Sequence, residues 1–165
     1  MIFKLLVLDK EGSIGKRVED MFTRFMRDYQ VYRTASLEET ITLGKQECVD
    51  VIIINGDDYP DLTPENLQDF KRKIIPSPKL LLLLEPNLIN TLPALENEAH
   101  RVLDSTNFRM LRIRNVVHDL IRDRFLEDYA RRKAEAKRKK DELESLLADV
   151  RDIKEELGQK MRGGE

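Results

Sequence analysis

Apolar positions along this chain fall into two alternating spacings. Residues 3–8 form a short apolar run interrupted by Lys4 and closed by Asp9, Lys10 and Glu11, which predicts a strand. Ile14, Val18, Met21, Phe22, Phe25 and Met26 then recur at three and four residues, predicting a helix with one buried face. Residues 30–34 predict a second strand. Ser36 with Glu39 three positions on is the reciprocal capping pair that opens a helix, expected to run to about Gln46. Val51, Ile52, Ile53 and Ile54 lack polar alternation, as in a strand covered on both faces of a parallel sheet. Asn55 to Pro60 has turn chemistry, and Thr63 with Pro64 supplies a cap and first-turn proline for a helix carrying Leu67, Phe70 and Ile74.

Leu80 to Leu84 has helix propensity, but its confinement between Pro78 and Pro86 favours a buried strand. Leu88, Leu92 and Leu95 are spaced as on a helix that Pro93 interrupts, so a short or kinked element is expected there. Arg101 to Leu103 predicts a fifth strand. From Asn107 neither Pro nor Gly occurs until Gly158, allowing one helix of about fifty residues whose start, with Phe108, Leu111, Val116, Leu120 and Ile121, is apolar enough to pack on the sheet. Strands alternating with helices imply an α/β fold, a doubly wound five-stranded parallel sheet with right-handed crossovers. Working residues in such sheets follow the carboxyl ends of the strands.

Composition adds an extended solvated element: 36% of the 165 residues are charged, against 41% hydrophobic. A formal net charge of −2 gives no general case for nucleic acid or membrane binding. The lone cysteine, Cys48, and two separated histidines form no disulfide or zinc pattern, so a reducing, cytoplasmic location is expected. The apolar start is too short for a signal peptide or membrane span.

The segment from Lys4 to Glu11, with an acidic position after the first strand, resembles the opening of a response-regulator receiver domain. Asp50 to Asn55 followed by Pro60 is similar to the receiver segment that ends in the phosphoacceptor aspartate. The resemblance covers about residues 3–122 and implies a flavodoxin-like sheet in the order 2-1-3-4-5. It also implies a two-component or phosphorelay context, from which this chain departs. Asn55 stands where the nucleophile would be, Lys10 replaces the second acidic residue, and the expected hydroxyl falls at Leu83 or Leu84. The expected lysine is missing around Ser105, and the step from Asn55 to Pro60 is one residue long. Phosphotransfer needs an aspartate nucleophile, carboxylates for Mg²⁺ and groups that receive the transferred charge. The reading is therefore a degenerate pocket of Asp9, Lys10, Asn55, Leu83 and Ser105, with no catalytic residue, metal or cofactor. Asp9, Lys10, Asn55 and Ser105 are read first as solvated or mutually hydrogen-bonded strand ends, with a retained small-ligand or protein-binding pocket as the alternative, and the Lys10 ammonium is expected near Asp9 or Asn55 in place of a metal. Asp57 is expected on a loop beyond the strand.

The expected division is an α/β domain at 1–123, a coiled-coil helix at 124–162 and a flexible tail at 163–165. Leu143, Leu146, Val150, Ile153 and Leu157 have the three-and-four spacing of a seam, favouring a homodimer over packing on the parent domain. Arg131, Arg132, Lys133, Lys137, Arg138, Lys139 and Lys140 form a basic surface. No aromatic residue is interleaved for base stacking and no wide apolar face accompanies it for membrane insertion, so solvated helix is the favoured reading. Basic and then acidic blocks allow antiparallel pairing, while the position of the seam favours parallel pairing; the orientation stays open. Together these features imply a protein-interaction module among signalling proteins, with an unusual phosphoacceptor at Asp57 or Asp9, or nucleic-acid binding through 131–140, as alternatives.

Overall fold

The computed structural model describes residues 2–87, 98–107 and 109–162. Five parallel strands, β1 (Phe3–Leu8), β2 (Tyr29–Thr34), β3 (Val51–Asn55), β4 (Lys79–Leu84) and β5 (Arg101–Asp104), form one sheet in the order β2-β1-β3-β4-β5. The helices described are α1 (Ser13–Phe25), α2 (Leu37–Glu47), α3 (Pro64–Lys73) and the long α4 (Met110–Arg162), with a 3₁₀ turn at Gly56–Asp58. The expected element around Leu88, Leu92 and Leu95, together with Phe108 and the 163–165 tail, lies outside the described residues.

The apolar runs 5–8 of β1, 51–54 of β3 and 80–84 of β4 follow from burial on both faces. One face carries Leu5, Val7, Val51, Ile53, Leu81 and Leu83 against Val18 and Phe22 of α1 and Ile113, Val117, Leu120 and Ile121 of α4. The other carries Leu6, Ile52, Ile54, Leu80, Leu82 and Leu84 against Leu67 and Phe70 of α3, with Ile74 following it. The caps form largely as expected. Ser36 Oγ accepts the Glu39 N–H at 3.2 Å, but Glu39 reaches back to the Ala35 N–H, one residue before the expected partner. Thr63 Oγ1 accepts the Asn66 N–H.

Helix α4 starts at Met110, three residues later than the breaker pattern allowed, and runs through Gly158 to Arg162. At Gly158 a side chain would meet only open space, so the glycine removes no packing and the helical hydrogen bonds continue. The chain divides into two compact units meeting between Arg124 and Phe125. Within the first, Arg124 closes the packed part of α4 by pairing with Asp50 at 3.1 Å and donating to the Val49 carbonyl at 3.0 Å. Asp50 also accepts the Lys4 N–H, which joins β1, β3 and α4 at the amino ends of the strands. In the second unit every described residue is exposed except Tyr129-adjacent Asp128, which is half-buried.

Candidate functional site

At the opposite ends of the strands, register brings two of the expected residues, Asp9 and Asn55, together. Leu8 pairs with Ile54 and Asn55 with Leu83, so Asp9 and Asn55 emerge side by side on the face that packs α1 and α4. Both are buried, at 5% and 7% exposure. The Asp9 carboxylate accepts the Gly15 N–H of α1 at 2.8 Å and the Asn55 side-chain amide at 3.2 Å. That orientation of Asn55 leaves its Oδ1 buried without a hydrogen-bond partner. Reversing the amide would satisfy neither group, since it would set a carbonyl oxygen against the Asp9 carboxylate.

The 3₁₀ turn supplies two further carboxyls, each tied to a different strand end. Asp58 accepts the Lys10 N–H at 2.9 Å. Burial pushes its carboxyl above the usual carboxylate range, and the hydrogen bond and charge of neighbouring Asp9 push the same way, against the Lys10 and Glu11 N–H groups. Asp57 reaches the other side: it accepts the Glu85 N–H at 2.8 Å and the Ser105 hydroxyl, joining β3 to the ends of β4 and β5. Tyr59 donates to the Ala35 carbonyl at 2.7 Å, and burial followed by the charges of Asp58, Asp9 and Glu39 raises its hydroxyl to about 12.

Three of the expected residues stand apart from the contact between Asp9 and Asn55. Lys10 is exposed and donates its backbone N–H to Asp58; its ammonium makes no hydrogen bond or ion pair among the described residues. The chain bends after Asp9, and both Asp9 oxygens already accept an N–H, so an ammonium there would gain less to set against its desolvation. Leu83 is fully buried in the α1 and α4 core and offers the site no polar atom. Ser105 contacts Asp57 rather than Asp9 or Asn55, which makes Asp57 a structural partner of the fifth strand as well as a turn residue.

Gly56 was not expected to matter. A Cβ there would lie 2.4 Å from Leu84 Cδ2 and 3.0 Å from the Leu83 carbonyl oxygen, so the turn passes β4 too closely for any side chain. Its signal was a glycine directly after the last strand position, which also fits an ordinary turn. The basic residues 131–133 and 137–140 are all exposed on α4, as are the five seam residues. Among the described residues no group of three or more His, Cys, Asp or Glu side chains is placed to hold a metal ion, and no helix is long and apolar enough to cross a membrane.

No protein-family model and no curated protein matches the sequence. Solved structures do. An adenylate cyclase structure from Rhodopirellula baltica superposes with a TM-score of 0.68 at 19% identity, covering 82% of this chain and 98% of that one. The signal receiver domain of an HD domain-containing protein from Pseudomonas fluorescens Pf-5 gives 0.67 at 15% identity, covering 78% and 93%. A response regulator receiver domain protein from Clostridium thermocellum gives 0.62 at 21%, covering 76% and 98%. With the strand order and the placement of Asp9 and Asn55 at the strand ends, these likenesses establish that the chain has the fold of response-regulator receiver domains.

Proposed function

We propose that this chain is a non-catalytic pseudo-receiver, a cytoplasmic signalling or scaffold module that works by protein–protein interaction and coiled-coil dimerisation, independently of aspartyl phosphorylation. One observation carries the reading: the side chain at the end of β3 is a carboxamide that donates its N–H to Asp9. A carboxamide does not attack phosphorus as a carboxylate does. The Mg²⁺ that serves phosphotransfer on this fold does not fit the donors present. The Asn55 amide and the Gly15 N–H meet Asp9 with hydrogen-bond donors where a cation needs open acceptors, and the second acidic position is the exposed Lys10. Burial, with Asp9 beside it, raises the Asp58 carboxyl, which weakens it as a cation ligand.

In this reading the polar cluster is structural, tying the carboxyl ends of β1, β3, β4 and β5 to one turn. Strand β5 and the first turns of α4, where Leu111 is 52% exposed, supply a surface for other signalling proteins. The seam from Leu143 to Leu157 pairs the chain with a second copy.

The experiment is incubation of the full chain with acetyl phosphate, and separately with beryllofluoride, in the presence of Mg²⁺. Intact mass should remain unmodified and the melting temperature unchanged. A stoichiometric phosphoryl adduct overturns the reading in favour of a phosphorelay regulator with acceptor Asp57 or Asp9. Asp57, half-exposed on the turn and facing the Ser105 hydroxyl, is then the first position to map.

A further inference from the structure

The exposed half of α4 carries more than an apolar stripe. Leu143, Leu146, Val150, Ile153 and Leu157 are 57–61% exposed, far from the burial such side chains reach in the α/β unit. With Leu143, Val150 and Leu157 at heptad position a and Leu146 and Ile153 at d, Asp128, Glu135, Glu142, Asp149 and Glu156 all fall at g. In the same register position e holds Leu126, Lys133, Lys140, Leu147, Lys154 and Met161. Every g position from 128 to 156 is thus acidic, and every e position from 126 to 161 is lysine or apolar.

From this pattern we infer that the seam pairs with a second copy of this chain in parallel and in register. The inference rests on the self-association proposed above and adds its orientation. In a parallel pair each g residue faces the e residue five positions later on the other helix. Asp128 then meets Lys133 of the second copy, Glu135 meets Lys140 and Asp149 meets Lys154, each pair occurring twice across the symmetric seam. Glu142 and Glu156 face Leu147 and Met161, so no acid meets an acid. An antiparallel pair sets g against g and e against e, bringing carboxylate to carboxylate and lysine to lysine along its length. The order of charge blocks, basic at 131–140 and acidic from Asp141, suggests the opposite orientation only because it averages over the helix circumference.

Several of these groups have no partner among the described residues of their own chain. Lys133, Glu135, Asp149 and Lys154 make no hydrogen bond or ion pair among the described residues. Lys140 has only a 3.7 Å approach to Glu144, and Asp128 holds Arg131 at 3.0 Å. The charges the parallel pair uses are mostly unspent within one helix. The second copy therefore completes the set, and its apolar seam covers the stripe.

The test uses the full chain with the exposed Cys48 replaced, C48S, and three further variants on it. The first reverses the e lysines, K133E with K140E and K154E. In the parallel pair this turns attraction into repulsion, weakening the dimer roughly tenfold or more at low ionic strength, with the difference shrinking in salt. In an antiparallel pair it exchanges lysine–lysine for glutamate–glutamate and leaves the constant nearly unmoved. The second adds D128K, E135K and D149K, which restores complementary pairs and should recover the dimer. The third is K160C, at a d position, which should form an inter-chain disulfide on oxidation. Antiparallel pairing centred on Val150 would hold these cysteines about 30 Å apart, twenty residues of helix. Circular dichroism of each variant confirms the helix, and sedimentation equilibrium reads the association. A dimer that fails to cross-link, or whose constant is unmoved by the triple reversal, overturns the inference while self-association stands; a monomer at all concentrations overturns both.

Discussion

The two stretches of α4 on either side of Arg124 share one backbone geometry and differ in what holds them. Up to Arg124 the helix buries Ile113, Val117, Leu120 and Ile121 and ends on the Asp50 ion pair. From Phe125 to Arg162 none of its residues is fully buried. The first stretch would be helical with poor propensity, because the sheet supplies the stabilisation. The second depends on helix-forming residues such as Ala, Lys, Glu and Leu, on surface pairs such as Arg138 with Glu142 at 3.3 Å, and on any partner that covers its seam.

This contrast can be broken by substitution, beginning with the largest effect. Ile113→Ala removes a fully buried side chain from the α4 contact and should cost about 2–5 kcal/mol in urea denaturation. The paired change Leu146→Ala and Ile153→Ala, of similar apolar size, should leave the unfolding of the α/β unit unaltered while lowering helix content and association. A loss in the α/β transition comparable to that of Ile113→Ala would show that the two stretches are not stabilised separately. Gly56→Ala forces a methyl into Leu84 and the Leu83 carbonyl and should cost about 1–3 kcal/mol, read in the same denaturation. Ser36→Ala deletes the α2 cap and should cost about 1 kcal/mol.

The smallest effect is a pH dependence. The folded Asp58 carboxyl lies above its unfolded value, so between the two the native state binds the extra proton and stability falls as pH rises. Below the unfolded value both states are protonated and Asp58 sets no slope. Asp58→Asn removes this titration while keeping a donor toward Asp9 and an acceptor for the Lys10 N–H. The melting temperature of the variant relative to the parent should therefore climb from the acid side through the carboxylate range and then level off. A flat difference would mean that neither burial nor Asp9 raises the Asp58 carboxyl in the folded protein.

Much of the fold was legible because its signals were long and local. The β-branched run of β3 and the proline-bounded leucines of β4 announced buried parallel strands, and the spacing in α1 announced its face. Asp9 and Asn55 were legible as a pair because each directly ends an apolar run. The Asp57 contact with Ser105 was not, since it joins positions 48 residues apart and neither lies within a run. The backbone bond from Lys10 to Asp58 was not legible, because residue type names a side-chain charge and not what a bent backbone will meet. Likewise, reading charge in blocks hid an ordering visible only once the heptad gives each side chain a position on the helix.

The buried amide of Asn55 also bears on chemical ageing. An asparagine followed by glycine is prone to deamidation, because the following backbone nitrogen meets no side chain as it approaches the amide carbon. Here Asp9 holds the amide and Leu84 crowds Gly56, so the ring closure must displace native contacts. In an unfolded chain neither restraint exists. Folding thereby shields the exchange that would set a second carboxylate against Asp9, and a molecule long denatured before refolding would return with a different charge at the end of β3.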